Sequence, residues 1–149
     1  MKSIFELEAY QGIIQRIEKL KPGTPNLWGK MKVEQMLAHC CVPLQNAIGL
    51  KKTPRSFIGR LLGRFVKESF MGDKPFPKNS PTDKNFIVTD KRDFEKEKQN
   101  LLQLVKQFAE GGRAACTTHP HPFFGNLSPE EWGKGTYKHI DHHLRQFSN

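Results

Sequence analysis

His139 and His143 stand four residues apart in the stretch His139-Ile140-Asp141-His142-His143, within a segment that reads as helix. At about 100° per residue they fall about 40° apart on one face, one turn above the other. Two neutral imidazoles so placed can reach a single transition-metal ion. Trp132, Thr136, Ile140, Leu144 and Phe147 define the apolar side of this helix. Both histidines lie at the edge of that side, so they are expected to face the interior. His142 projects about 60° from His139 and about 100° from His143, which makes it the weaker ligand. Spacing alone is a weak signal, because a helical histidine pair more often packs or sits at a surface than binds metal. Ile140 rather than Glu follows His139, which argues against the His-Glu-x-x-His arrangement of zinc proteases.

A third ligand has to come from another element, and His39, in Met36-Leu37-Ala38-His39-Cys40-Cys41, is the candidate. On an ideal helical wheel His39 points away from the Leu37/Cys41/Leu44 stripe. Pro43 complicates that count, since it leaves the His39 carbonyl without its helical partner and is expected to kink the helix. Three neutral histidines would leave an ion dipositive with at least one open position, the arrangement of a catalytic rather than a structural site. Water on such an ion, with a pKa of about 7, could attack an ester, amide or phosphoester, and a thiolate could be activated there for transfer. His121, with His119 nearby, could act as a proton carrier or substrate contact from its Pro-bounded loop. Glu34 could orient a ligand or act as a base. Of the three cysteines, Cys41 continues an apolar stripe and reads as core, Cys40 adjoins His39, and Cys116 lies in a loop.

Four main helices are expected to position these groups. The first covers about residues 3–20, with Ile4, Leu7, Ile13, Ile14, Ile17 and Leu20 apolar, and ends at Lys21-Pro22-Gly23. The second covers about 31–49. The third starts near Asp90 as N-cap and ends at Gly111-Gly112. The fourth opens with Ser128-Pro129-Glu130-Glu131, a capping box with proline at the first helical position, and runs to about Phe147. In the long connection between the second and third, Phe57, Ile58, Leu61, Leu62, Phe65, Val66 and Phe70 predict an extra amphipathic helix over about 55–70. Residues 72–88 are Pro-rich and read as irregular. No repeat and no set of strands is evident. The reading is all-α, a four-helix bundle with one long connection.

At 149 residues the chain has the length of one domain, 1–149. Its 36% hydrophobic content and eleven Phe exclude a disordered chain. The net charge of +9 suggests nucleic acid, but it is local: residues 51–78 hold eight basic and two acidic groups, two thirds of the total. That segment shows no nucleic-acid reading module, and its apolar residues are spaced to pack rather than to stack bases. Nucleic acid is therefore a disfavoured partner. No apolar run approaches the roughly 20 residues of a membrane span and the N-terminus lacks a signal-peptide core. An odd cysteine count with Cys40 and Cys41 adjacent argues against a disulfide scaffold. A cytoplasmic protein is expected.

Three blocks, Trp-Gly-Lys-Met-Lys-Val-Glu-Gln-Met-Leu-Ala-His at 28–39, His-Pro-Phe-Phe-Gly-Asn-Leu-Ser-Pro-Glu-Glu-Trp at 121–132 and His-Ile-Asp-His-His-Leu-Arg-Gln-Phe at 139–147, resemble the DinB/YfiT-like superfamily. More narrowly, they resemble a subgroup of it with no assigned function. The resemblance spans nearly the whole chain. It implies a four-helix bundle of up-down-down-up topology and a divalent metal, commonly nickel or zinc, held by His39, His139 and His143. It also implies a small-molecule substrate. Relatives include S-transferases and isomerases that use low-molecular-weight thiols such as bacillithiol or mycothiol, and proteins labelled metal-dependent hydrolases. The competing expectation is a non-catalytic binding protein. In that reading Arg60, Arg64 and Lys67 of the basic segment meet phosphate groups or an anionic membrane surface. The apolar face of the added helix also makes a homodimer an expectation.

Overall fold

A computed structural model describes residues 2–148 and is all-helical, with five α-helices and no strand among the described residues. They are α1 (Leu7–Lys19), α2 (Val33–Ala47), α3 (Phe57–Met71), α4 (Phe94–Gly111) and α5 (Pro129–Gln146). Short 3-10 turns cover Lys84–Phe86 and Gly112–Ala115. No described helix is long and apolar enough to cross a membrane.

The packing closes a ring: α1 lies against α4 and α5, and α2 lies against the same two helices from the other side. Ile13 and Ile17 of α1, Met36, Leu37 and Leu44 of α2, Leu101 and Phe108 of α4, and Ile140 and Leu144 of α5 meet in one fully buried core. Leu7, expected on the inward stripe of α1, is instead exposed at the first turn, and Ile4, just before the helix, fills the core. Its backbone N–H donates to the Gly133 carbonyl at 3.1 Å, which ties the N-terminal segment to α5.

Helix boundaries follow capping chemistry. At α5 the expected capping box forms: the Glu131 N–H donates to Ser128 Oγ at 3.2 Å and the Ser128 N–H to Glu131 Oε2 at 2.7 Å. At α4 the N-cap is Asp93, which accepts from the Lys96 N–H at 2.7 Å, and not Asp90. Residues 89 and 90 stay outside the helix because their carbonyls accept from the Gln35 side chain at 2.9 and 3.1 Å, which holds this stretch against α2.

The added helix is present, and it docks on the body by the side opposite its apolar face. Its inward face is made by Gly59 and Gly63, which rest on the backbone of Phe123 so closely that neither position has room for a Cβ. Four polar links hold it there. The Ser56 N–H donates to the Pro122 carbonyl at 3.0 Å, Lys67 pairs with Glu131 at 2.8 Å, and the Lys138 ammonium donates to the carbonyls of Phe70 and Gly72, each at 2.7 Å. The last two occupy carbonyls that the C-terminus of a helix leaves without partners. Of the predicted apolar face, only Phe70 turns inward, against Phe76 and Phe124.

Candidate metal centre

His39, His139 and His143 converge. One ring nitrogen from each lies within 4.8 Å of the others, and the His39 and His139 Nε2 atoms are 3.0 Å apart. The ideal-wheel objection to His39 fails because α2 is enclosed on two sides: the Leu37 stripe faces α4, while the side that carries His39 faces α5. His39 and His143 are buried and His139 is half-buried.

Two of the rings are held by groups outside the cluster. His39 Nδ1 lies 2.7 Å from the Phe86 carbonyl oxygen, which can only accept, so the proton is on Nδ1 and the Nε2 lone pair points into the cluster. Gln146 does the same for His143. Its Nε2 donates to the Trp28 carbonyl at 2.7 Å, which fixes the amide so that Oε1 accepts from His143 Nδ1–H at 2.9 Å. Nε2 of His143 is thereby left to face inward. Partners of this kind set the tautomer of metal-binding histidines and raise their basicity.

The electrostatics favour neutral rings. Burial lowers the pKa of His39 against the opposing pull of its Phe86 hydrogen bond. Burial also holds His139 well below its ordinary value, with His143 and His39 adding to the effect. His143 is brought down to about 3, chiefly by burial and then by His39. Three uncharged imidazoles with converging lone pairs are the form in which histidine binds a transition-metal ion, and the donor set therefore fits one.

Gln146 gives a direct test of this arrangement. Gln146→Ala removes the acceptor for His143 and should weaken zinc binding about 10- to 100-fold in a chelator competition, the usual cost of losing such a partner. Gln146→Glu keeps an acceptor there and should lose less. Equal affinities across the three proteins would show that the His143 orientation is set by packing alone.

The remaining expected residues separate. His121 is buried in the loop before α5, its Nδ1 accepting the N–H groups of Phe123 and Phe124 at 3.1 and 3.2 Å. The proton is therefore on Nε2, and burial pulls the pKa down to about 4, so the group is a donor rather than a base at neutral pH. Its ring stacks on Phe124 and lies 5.5 Å from Trp132. Glu34 lies with Arg92 and Phe94 along a separate cleft, and the orienting contact to His39 comes from Phe86 instead. His142 sits between Trp28 and Phe76, at ring distances of 5.6 Å each, outside the ligand cluster. Burial raises the Cys40 thiol and takes Cys41 to about 12, so both remain thiols in the core.

Phe86, Gln146 and Trp132 were not anticipated. Gln146 follows His143 by three residues on one helix face, a spacing that could have pointed to it. Phe86 acts through its backbone, for which side-chain type carries no signal. The Trp132 indole N–H is buried without an acceptor among the described residues.

A family described as a protein of unknown function, DUF1569, matches residues 2–149. The chain belongs to this DUF1569 family. No curated protein and no solved structure matches it. The DUF1569 match spans both His39 and the His139/His143 pair, so the whole ligand set lies inside the family region.

Proposed function

We propose that this DUF1569 protein is a metal-dependent enzyme of small-molecule chemistry, a hydrolase or a thiol S-transferase, built on a DinB/YfiT-like four-helix bundle. The observation that carries the reading is the convergence of three neutral imidazoles, two of them oriented by Phe86 and Gln146. The ring of pairings α1–α4–α2–α5 supports the bundle, with α3 carried in the long connection. In that ring α1 sits diagonal to α2 and α4 to α5, while α2 and α4, joined by the long connection, lie side by side.

Nickel or zinc is the proposed ion, since imidazole suits both. Bound by His39, His139 and His143, it would supply Lewis acidity to a water or thiol at its open position. The chain's own contribution is hydrogen bonding and exclusion of water. His121, neutral with its proton on Nε2 and near enough to contribute to the lowered His139 pKa, would donate to an oxygen that gains negative charge rather than serve as the base at neutral pH. The unpartnered Trp132 N–H, in a ring that packs on His121, is a second donor, and a substrate or water oxygen there would recover the roughly 1–3 kcal/mol that a buried orphan donor costs. The three cysteines are free, in keeping with the cytoplasm as the working compartment.

The test compares zinc- and nickel-loaded protein on two probe reactions, hydrolysis of a p-nitrophenyl ester and conjugation of a small thiol to monobromobimane. Turnover of one probe well above the free-ion rate supports the reading and chooses the reaction class; if it is the ester, His121→Ala should lower it about 100-fold, a typical cost for an oxyanion donor. Protein that holds the ion and turns over neither probe above the free-ion rate would count against catalysis.

A further inference from the structure

Helix α3 presents an apolar surface that nothing in the chain covers. Phe57 is 76% and Phe65 78% exposed, and Ile58, Leu61, Leu62 and Val66 lie beside them, each more than 40% exposed. At about 100° per residue these six side chains span about half of the helix circumference, interrupted only by Glu68 and Ser69 near its C-terminal end, and directed away from the Gly59/Gly63 docking face. Burying such residues is worth about 1.5–3 kcal/mol apiece, and a contiguous patch of this kind marks an interaction site.

Charge identifies the occupant. Arg60 and Arg64 run along one edge of the apolar arc, and Lys51 and Lys52 precede the helix, all four exposed. The one acidic residue of α3 is Glu68. A second copy placed against this face would bring the basic edges of two chains together with little acid to meet them. A nucleic acid would satisfy the arginines and leave Phe57, Leu61 and Phe65 in water. An anionic bilayer satisfies both halves at once, with aromatic and aliphatic side chains in the acyl boundary and arginines at the headgroups.

We propose that α3 is an interfacial anchor that lays the protein on an anionic lipid surface. The Gly59/Gly63 contact lets the helix lie flat on the body, so its bulky side chains project outward rather than being consumed in packing. The metal centre lies in the interior between α2 and α5 and takes no part in this contact.

The experiment is cosedimentation with vesicles of phosphatidylcholine alone or mixed in equal parts with phosphatidylglycerol. Wild-type protein is expected to bind the mixed vesicles about tenfold or more better than the neutral ones, and to release with salt. The double substitutions Phe57→Ser with Phe65→Ser, and Arg60→Glu with Arg64→Glu, should each lower binding at least about tenfold. Their circular dichroism should not change, because all four positions are exposed. His139→Ala should bind vesicles as wild type does, which separates this inference from the metal reading. Three outcomes would overturn it: no binding to mixed vesicles; a wild-type dimer that Phe57→Ser with Phe65→Ser converts to monomer without vesicle binding; or binding that survives the Phe substitutions and is matched by a DNA duplex.

Discussion

On the proposed metal reading the unaltered chain should purify with one divalent ion, and His139→Ala without it. His139 is the informative ligand to remove. Its Nε2 lies 3.0 Å from His39 Nε2, so its loss opens the cluster at the pair that converges most closely. It is also half-buried, whereas His39 and His143 are buried. Loss of an outer partner of a ligand costs about 10- to 100-fold in affinity, and loss of the ligand itself should exceed that. Metal content per chain measured by plasma mass spectrometry gives the first readout. Thermal unfolding gives the second: at about 100 times the dissociation constant an ion adds about 2.7 kcal/mol, which for a chain of this size raises Tm by about 5 °C or more. Wild type should show the rise with zinc or nickel and His139→Ala should not. Equal metal content in both proteins, or no thermal response to either ion in wild type, would refute the site.

How much of this was legible in the sequence depended on where the information resides. The His139/His143 pair was readable because one helix sets both positions and Ile140 and Leu144 disclose which side is buried. His39 was harder, because a wheel registers a single buried face and α2 has two, toward α4 and toward α5. Phe86 was not readable at all: it reaches His39 through a carbonyl that any residue could have offered, from a connection with no periodicity. Helix α3 was found from its apolar spacing, but that spacing did not say which side docks on the body. Apolar periodicity reports that a face avoids water without naming what covers it, and here the glycines, usually read as helix-weakening, supply the docking surface.

The same burial that keeps the cluster ready for a cation should make the metal-free protein sensitive to mild acid. In the unfolded chain each histidine titrates near 6.5, whereas in the fold burial brings His143 to about 3 and His121 to about 4 and lowers His39 and His139 as well. Between those values the unfolded state binds more protons than the folded one, so stability rises with pH in that window and is lost as pH falls from about 6.5. For His121 the shift corresponds to about 3 kcal/mol by pH 4, already a sizeable part of the 5–15 kcal/mol that typically separates folded from unfolded chains. The three clustered rings add to this, since each charge there also repels its neighbours. Ordinary carboxylates titrate below about pH 4.5, so loss of stability that begins near pH 6 identifies the histidines. Urea midpoints measured from pH 7.5 to 4.5 on chelator-treated protein should fall steadily. The slope should flatten in His121→Gln, which takes that histidine's proton out of the linkage. Saturating zinc should displace the part of the decline that comes from His39, His139 and His143 to lower pH, because the ion competes with protons for their lone pairs. A urea midpoint constant from pH 7 to 4.5 would mean that the rings accept protons in the folded state as readily as in water and would overturn this burial argument.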